Sequence, residues 1–266
     1  MEIRPEISVV IPVFRNRETL HSLYARLQSV LDGAGWSWEL IAVHDACPEG
    51  SLKVLRELAA RDPRIRILDL PRNVGQHRAI WLGLHETRGR YVVVMDADLQ
   101  DPPEAIPLLR KAMEEAQGRA LVVFAGRRGR YERLDRMLTS WLFKRALHWI
   151  CGAPADAGTF CLMEGQVTEA LRRWDAPEPH LPTLIACAGF PTRVVPIHRS
   201  LRPIGRSAYT TGMRWRLAWR ILRTAWALKR NPARFLRLSN ALPFPEPHTH
   251  LPGGAKRAHV GAHRDP

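Results

Sequence analysis

The sequence predicts an α/β protein built on a doubly wound, mainly parallel sheet with helices on both faces. Apolar runs of strand length, rich in Val and Ile, recur along the chain, and each is followed by a polar turn and then by leucines at helical spacing. The runs are apolar throughout, which is typical of strands buried on both faces of a sheet. Helices between such strands are the crossover connections that parallel pairing requires.

The first two strand and helix units occupy the beginning of the chain. Residues 7–14 (ISVVIPVF) predict the first strand, and leucines between 20 and 31 at helical spacing predict the helix after it. Residues 38–43 predict the second strand, and Leu52, Leu55 and Leu58 mark the second helix. The same order of strand, turn and helix therefore appears twice.

The alternation continues with a strand at 64–70, a helix at 79–86 and a strand at 90–95. Doubly wound sheets bind ligands beyond the carboxyl ends of their strands. Two acidic clusters follow such ends, His44-Asp45 after the second strand and Asp96 to Asp98 after the fourth. We therefore expect the functional site at this edge of the sheet.

The second half of the chain predicts a helix at 103–116, a strand at 120–125 and a long helix at 131–151. Further strands are predicted at 156–163 and 192–198, and the latter is expected to close the sheet. These elements complete a main domain.

We divide the chain into a main domain at 1–212, a basic amphipathic helical segment at 213–239 and a tail at 240–266. The tail is rich in Pro, His and Gly without periodicity, which predicts disorder. The beginning of the sequence shows no secretory signal, so a cytoplasmic protein is expected.

The net charge indicates the kind of partner, and the cysteine spacing argues against a zinc site. The chain has 40 Lys and Arg against 26 Asp and Glu, a formal net charge of +14, which favours a polyanionic partner such as nucleic acid, anionic lipid or a phosphorylated substrate. Its four cysteines lack zinc-site spacing. We expect reduced, mostly buried thiols.

The densest chemical signal is MDADLQDPPE at 95–104. In an extended segment the side chains of Asp96 and Asp98, two residues apart, point the same way. Two carboxylates suit Mg²⁺ or Mn²⁺, which keeps positions open for phosphate oxygens, and the Gln100 amide is a further candidate ligand. A solvated acidic turn is the alternative, and this D-x-D motif alone leaves both interpretations open.

Seven motifs occur together and in order: VVIPVFRNRE, VHDACPEGS, RNVGQHRAIWLGL, DADLQDPPE, AGRR, DAGTFCLM and RPIGRSAY. In order and spacing they resemble family-2 glycosyltransferases, and most of all the polyprenyl-phosphate glycosyltransferases, a group that includes dolichol-phosphate mannose synthase and the bactoprenol glucosyltransferases. The resemblance covers roughly residues 7–212. An ordered set of motifs is far more specific than any single one.

The resemblance implies a GT-A fold, a nucleotide-sugar donor and a divalent cation, and it assigns roles to residues of this chain. The nucleotide-sugar site would comprise Pro12, Val13, Phe14, Asp45, Gly75 and Asp96. The metal ligands would be Asp96, Asp98 and Gln100. The catalytic residues would be Asp98, Arg127 and Asp156, the last on the acceptor side. The acceptor phosphate would be bound by Arg127, Arg202 and Arg206.

The proposed role of the arginines in binding the acceptor phosphate also has an independent physical reason. A phosphate monoester acceptor is already ionised near neutral pH, so it needs cations that bring two anions together more than it needs a strong base. A solvated arginine loop is the alternative for Arg127 and Arg128.

Five positions depart from the family pattern. In VHDACPEGS a histidine replaces an acid, an alanine a glycine and a cysteine a serine, which predicts an unusual donor base or sugar preference. A cysteine stands where arginine is usual, and an alanine replaces the expected lysine of the last motif, so two phosphate-facing charges are in doubt. These positions are His44, Ala46, Cys47, Cys161 and Ala208.

The segment 213–230 carries too many basic residues to span a bilayer. Read as a helix, it places arginines on one stripe and tryptophans on the next. Two interpretations remain open: an in-plane helix at an anionic membrane surface, and a helix that packs its tryptophans on the main domain. The stripes are Arg216, Arg220, Arg223 and Arg230, and Trp215, Trp219, Leu222 and Trp226.

We therefore predict an inverting, metal-dependent hexosyltransferase of cell-envelope glycan synthesis with a polyprenyl phosphate acceptor. The enzyme is expected to be peripheral on the cytoplasmic face of the membrane, where a membrane protein is a possible partner. One alternative keeps the donor chemistry but uses a soluble or saccharide hydroxyl acceptor, with Asp156 as base. Another is a catalytically weak lipid- or nucleic-acid-binding protein. Specific nucleic-acid binding is disfavoured because no reader motif is present. The sequence does not specify an oligomeric state.

Overall fold

The computed structural model describes residues 4–128, 134–198, 211–236 and 248–250. Its strands are β1 (Ile7–Val13), β2 (Trp38–His44), β3 (Ile65–Asp69), β4 (Tyr91–Val94), β5 (Val122–Arg128), β6 (Cys161–Glu164), β7 (Thr192–His198) and β8 (His248–His250). Its α-helices are α1 (Leu20–Gly33), α2 (Ser51–Arg61), α3 (Gln76–His85), α4 (Ile106–Glu115), α5 (Leu134–Cys151), α6 (Gly165–Arg172), α7 (Leu181–Cys187) and α8 (Thr211–Arg230). Short 3-10 turns occupy Pro103–Ala105 and Pro232–Phe235.

These strands form one sheet in the order β7-β5-β6-β4-β1-β2-β3-β8. The pairs β1 with β2, β1 with β4, β2 with β3, and β5 with β7 are parallel. Strand β6 runs antiparallel to both of its neighbours, β4 and β5, and β8 runs antiparallel to β3. The predicted doubly wound, mainly parallel sheet is confirmed.

Helices cover both faces of the sheet because each buries one apolar stripe. Helix α1 buries Leu20, Leu23, Leu27 and Leu31, and it shares a core with α2 and α4. Helices α3, α6 and α7 pack on the opposite face in a second core. Each fully buried leucine contributes about 2 kcal/mol of transfer free energy.

A close approach fixes α3 on the sheet. A Cβ atom at Gly83 would lie only 2.6 Å from a methyl of Val10 and 2.8 Å from a methyl of Val43. A larger residue would push the helix away from β1 and β2. The helix start that reaches the strand ends is therefore held in place by a glycine contact.

A smaller third core joins α5 and α8. It contains Leu147, Cys151, Ala153, Ile221 and Ala225. The four cysteines are free thiols, and three of them are buried, as the sequence predicted.

Several elements differ from the sequence prediction. Strand β6 begins at Cys161, and not at Asp156, because the preceding small and polar residues form turns. Helices α6 and α7 were not predicted, since seven or eight residues are too short to show helical periodicity. Strand β7 lies beside β5 at one edge of the sheet.

The tail also differs at three residues. His248–His250 lie within the segment 240–266 that was predicted to be disordered, yet they form β8 against β3. The exposed edge of β3 offers backbone hydrogen-bonding groups that an extended segment can satisfy without help from side chains. The other residues of that segment lie outside the described part of the chain.

Candidate active site

Three loops meet where β1, β2 and β4 end, and each contains a residue with left-handed backbone. These residues are Arg15 (φ 61°), Ala46 (φ 48°) and Leu99 (φ 61°). None is glycine, so each conformation costs on the order of 1 kcal/mol. Backbone strain is thus concentrated at the edge where the sequence predicted the site.

Asp45 lies directly after β2 and organises the loop before α3. Its two carboxylate oxygens accept hydrogen bonds from the N–H groups of Val74 (2.6 Å) and Gly75 (3.0 Å). The Asn73 amide donates to the Asp45 carbonyl oxygen at 3.1 Å. Burial raises the pKa of the Asp45 carboxyl, although the two N–H groups act in the opposite direction. Asp45 therefore shapes the predicted nucleotide loop, which includes Gly75.

Gln76 connects this loop to the acidic motif. It is the first residue of α3, and its amide Nε2 donates to Oδ1 of Asp96 at 2.6 Å. Gly75, just before it, has φ 85°, a conformation that favours glycine. Gln76 was not predicted as a site residue, although its position directly after the glycine of RNVGQHR was an available signal.

Asp96 and Asp98 alternate with core residues after the end of β4. Met95 and Ala97 alternate with them and belong to the core shared with α1, which indicates that both carboxylates point away from that core. Asp98 is buried, and one of its carboxylate oxygens accepts the Gln100 N–H at 3.1 Å. The shared orientation of the two acids remains a prediction, and Asp98 lies in a turn after β4 and not in an extended segment.

The donor set fits a cation shared with a substrate. Within the described ranges, no group of three His, Cys, Asp or Glu side chains is arranged to hold a metal ion by itself. Two carboxylates and an amide match the way Mg²⁺ and Mn²⁺ are bound beside phosphates, where water and substrate oxygens complete the shell. Asp96, Asp98 and Gln100 are thus suitable ligands for an open site and not for a closed one.

The end of β1 contributes mainly backbone. Pro12 and Val13 are buried within the strand and pair with Val43 and His44 of β2. Phe14 is half-buried, so its side chain is the one of the three predicted residues that reaches the edge.

His44 acts as a structural group. Its Nδ1 lies 2.7 Å from Oδ1 of Asp69, and its Nε2 accepts the Cys47 N–H at 3.2 Å, so Nδ1 is the protonated nitrogen of this tautomer. The thiol of Cys47 in turn accepts the Arg15 N–H at 3.2 Å. Two of the departures from the family pattern, His44 and Cys47, therefore support the loops at the ends of β1 and β2.

Two of the residues predicted on the acceptor side, Asp156 and Arg127, lie at or near the end of β5. A Cβ at Gly126 would be 3.8 Å from the Cβ of Asp156, and Asp156 itself is exposed. Arg127 follows Gly126 in β5, in register with Ile197; the structure describes its backbone. Arg202, Arg206 and Ala208 lie outside the described residues.

Cys161 lies inside the sheet. It is buried in β6, opposite Val94 of β4, and burial raises the pKa of its thiol. This position, where the resemblance implied an arginine, is part of the sheet core in this chain.

Helix α8 exposes its tryptophans. It packs against α5 and α7 through Ile221, Ala225 and Leu228, whereas Trp215 and Trp219 are 58% and 63% exposed. The packed-tryptophan interpretation is therefore wrong, because a different stripe faces the domain. No helix in the described part of the chain is long and apolar enough to cross a bilayer.

Sequence comparisons relate the chain to known proteins. Residues 8–171 match the profile of glycosyl transferase family 2. An uncharacterized glycosyltransferase of Bacillus subtilis (strain 168) is 33% identical over 206 residues, which cover 77% of this chain and 63% of that protein. A bactoprenol glucosyl transferase of Shigella phage SfX is 30% identical over 218 residues, covering 80% of this chain and 70% of the phage protein.

A third relative is the undecaprenyl-phosphate 4-deoxy-4-formamido-L-arabinose transferase of Edwardsiella ictaluri (strain 93-146). It is 31% identical over 208 residues, covering 76% of this chain and 62% of that protein. The chain thus spans less than two thirds of the Bacillus and Edwardsiella relatives.

Solved structures share the fold. Mannosyl-3-phosphoglycerate synthase from Rubrobacter xylanophilus superposes with a TM-score of 0.67 at 16% identity, covering 91% of this chain and 79% of that one. Glucosyl-3-phosphoglycerate synthase from Mycobacterium tuberculosis, solved with Mn²⁺, UDP-glucose and phosphoglyceric acid, gives 0.62 at 21% identity, covering 83% and 80%.

Proposed function

Because the chain belongs to glycosyl transferase family 2, we propose that it transfers a hexose from a UDP-sugar or GDP-mannose to a polyprenyl phosphate, with inversion at the anomeric carbon. The observation that carries the proposal is the single hydrogen-bonded edge where Asp45, Gly75, Gln76 and Asp96 meet beside Asp98. This edge is the place where doubly wound sheets bind nucleotides.

Asp96, Asp98 and Gln100 would hold a divalent cation, Mg²⁺ or Mn²⁺. When bound, the cation would neutralise the charge that develops on the departing nucleotide diphosphate. The crystal structure of the Mycobacterium tuberculosis synthase with Mn²⁺ and UDP-glucose supports the use of such an ion on this fold. Pro12, Val13 and Phe14 would flank the nucleotide base, and Asp45 and Gly75 would form the facing loop.

The acceptor is proposed from the chemistry of the reaction and from the relatives. A phosphate oxygen of the acceptor attacks the anomeric carbon, while the bond from that carbon to the diphosphate oxygen breaks and the nucleotide diphosphate leaves. Arg127, Arg202 and Arg206 would bring the anionic acceptor to the anionic donor. The names of the phage and Edwardsiella relatives, which specify bactoprenol and undecaprenyl phosphate, support this acceptor class.

A second candidate keeps the donor chemistry and uses a hydroxyl acceptor. A hydroxyl must lose a proton as it attacks, so this reaction requires a general base. Asp156, which is exposed and near the end of β5, would be the base, and its exposure supports this role. The two candidates differ in the acceptor and in the need for Asp156 as a base.

We further propose that the enzyme is peripheral on the anionic cytoplasmic face of a membrane. Trp149 of α5 is 80% exposed, and Trp215, Trp219 and Trp226 of α8 are more than half exposed. We call these four side chains the tryptophan face. Helix α8 has six basic residues and no acidic one. Tryptophan beside arginine suits an in-plane helix at an anionic lipid surface.

A donor and acceptor panel tests the catalytic proposal. The full chain is incubated with UDP- and GDP-sugars and with either undecaprenyl phosphate or undecaprenol, which differ only in the phosphate. We expect transfer to the phosphate alone, loss of transfer with EDTA and recovery with Mn²⁺. Equal transfer to undecaprenol or to a soluble sugar would favour the hydroxyl candidate, and undiminished transfer in EDTA would contradict the cation assignment.

A further inference from the structure

An ion pair connects the exposed side of α8 to the rest of the protein. A guanidinium nitrogen of Arg220 lies 3.0 Å from Oε2 of Glu178. The Arg220 side chain is 64% exposed, whereas that of Glu178 is 9% exposed. A buried carboxylate thus neutralises one cation of a helix that otherwise presents basic side chains to solvent.

Glu178 cannot easily follow Arg220, because its loop is fastened elsewhere. Arg78 of α3 bonds Asp175 at 2.9 Å and the carbonyl of Ala176 at 2.7 Å. On the other side of Glu178, the ring of His180 contacts the ring of His77, with the centroids 4.9 Å apart. If the charge of Arg220 is taken by another anion, Glu178 stays with the catalytic domain and the pair breaks.

We propose that Glu178 masks Arg220 in the free protein and yields it to a lipid headgroup phosphate when the tryptophan face docks on an anionic bilayer. The Glu178–Arg220 pair would therefore limit membrane affinity and act as a switch between the free and docked states. This inference rests on the proposed peripheral location, and not on the proposed sugar transfer.

The energetics favour such an exchange. An ion pair with one solvent-exposed partner is weak, because water screens it. A basic residue near an anionic membrane increases the partition constant about fivefold. Burial raises the pKa of the Glu178 carboxyl, whereas the charges of Arg220 and Arg78 act in the opposite direction, so Glu178 keeps a cationic neighbour after Arg220 leaves.

The test measures binding of the full chain to phosphatidylcholine vesicles with and without phosphatidylglycerol. Glu178→Gln keeps the side-chain shape and frees Arg220, so we expect about fivefold tighter binding to the anionic vesicles and no change on phosphatidylcholine alone. The matched control is Glu169→Gln, which removes one negative charge from the exposed surface of α6. Equal gains in the two variants would overturn the switch.

A double variant tests whether the gain in vesicle binding depends on Arg220. On an Arg220→Gln background, Glu178→Gln should give no gain, because no masked cation remains. A gain that persists there would overturn the inference. If the unaltered chain transfers sugar but does not bind anionic vesicles, the switch and the peripheral location both fail while the catalytic proposal stands. If it binds vesicles through Arg220 but transfers no sugar, only the catalytic proposal fails.

Discussion

The two ends of the parallel strands hold buried carboxylates in opposite ways. At the amino ends, Glu39 accepts the Ser8 hydroxyl at 2.6 Å and contacts the guanidinium groups of Arg66 at 3.4 Å and Arg88 at 3.0 Å. Cationic partners therefore surround this carboxylate. The network ties together the starts of β1, β2 and β3 and the turn before β4.

At the carboxyl ends, Asp45 and Asp96 accept hydrogen bonds from neutral donors, whereas the half-buried Asp69, at the end of β3, pairs with His44 and Arg56. Asp45 accepts the N–H groups of Val74 and Gly75, and Asp96 accepts the amide of Gln76. Such donors orient a carboxylate without adding a positive charge. Buried acids alone therefore do not mark a site: Glu39 is tied to two guanidinium groups that join neighbouring strands, whereas amide and backbone N–H donors orient Asp45 and Asp96 at the edge proposed to bind the donor.

The largest expected effect is a loss of turnover on substitution of Asp98, at the carboxyl ends of the strands. Asp98→Ala should lower kcat by about 10³ or more, because a lost metal ligand removes several kcal/mol of transition-state stabilisation. Its unfolding free energy should change little. Turnover and urea unfolding are measured on the same preparation.

Glu115→Ala, at the exposed end of α4, is the control and should leave turnover unchanged. If Asp98→Ala retained full activity, the assignment of the carboxyl edge to catalysis would be wrong.

The next effect concerns the amino end. Glu39→Gln should reduce the unfolding free energy by about 3 kcal/mol, because it leaves Arg66 and Arg88 without their shared buried counter-charge. Urea denaturation measures the loss. The KM for the nucleotide sugar should stay unchanged in the folded fraction. If Glu39→Gln raised the KM for the nucleotide sugar without lowering the unfolding free energy, the structural role of the amino ends would be contradicted.

The smallest effects come from a matched pair that removes one neutral donor at each end. Gln76→Ala should lower kcat about tenfold by releasing Asp96, with little loss of stability. Ser8→Ala should cost about 1 kcal/mol of stability and leave kcat unchanged. Both variants are assayed for turnover and for thermal unfolding. If Ser8→Ala lowered kcat and Gln76→Ala lowered only stability, the two ends of the strands would not have the separate roles described.

Long, periodic elements were predictable from the sequence. The leucines of α1 and the apolar runs of β1 and β2 define their elements locally, and the strand before Asp96 places the acidic motif at the correct edge. Features that depend on tertiary contacts were not predictable. Strand β8 exists because β3 has an open edge, and helices α6 and α7 are short and packed into the second core.

The same limit applied to the site. Gln76 acquires its role from a contact with Asp96, twenty residues away, and Glu39 from arginines on two other elements. Nothing in the residue type or in the neighbouring sequence of Gln76 or Glu39 indicates these contacts. The Trp stripe of α8 was visible in the sequence, but only packing shows that Ile221, Ala225 and Leu228 face the protein instead.

The reversed strand β6 works as a spacer. Because it opposes both β4 and β5, those two strands run in the same direction and deliver Asp96 and Arg127 to one rim. Two inter-strand steps separate their axes, a gap of roughly 10 Å. The width of a single strand thereby sets the distance between the proposed nucleotide-sugar site and the proposed acceptor-phosphate site.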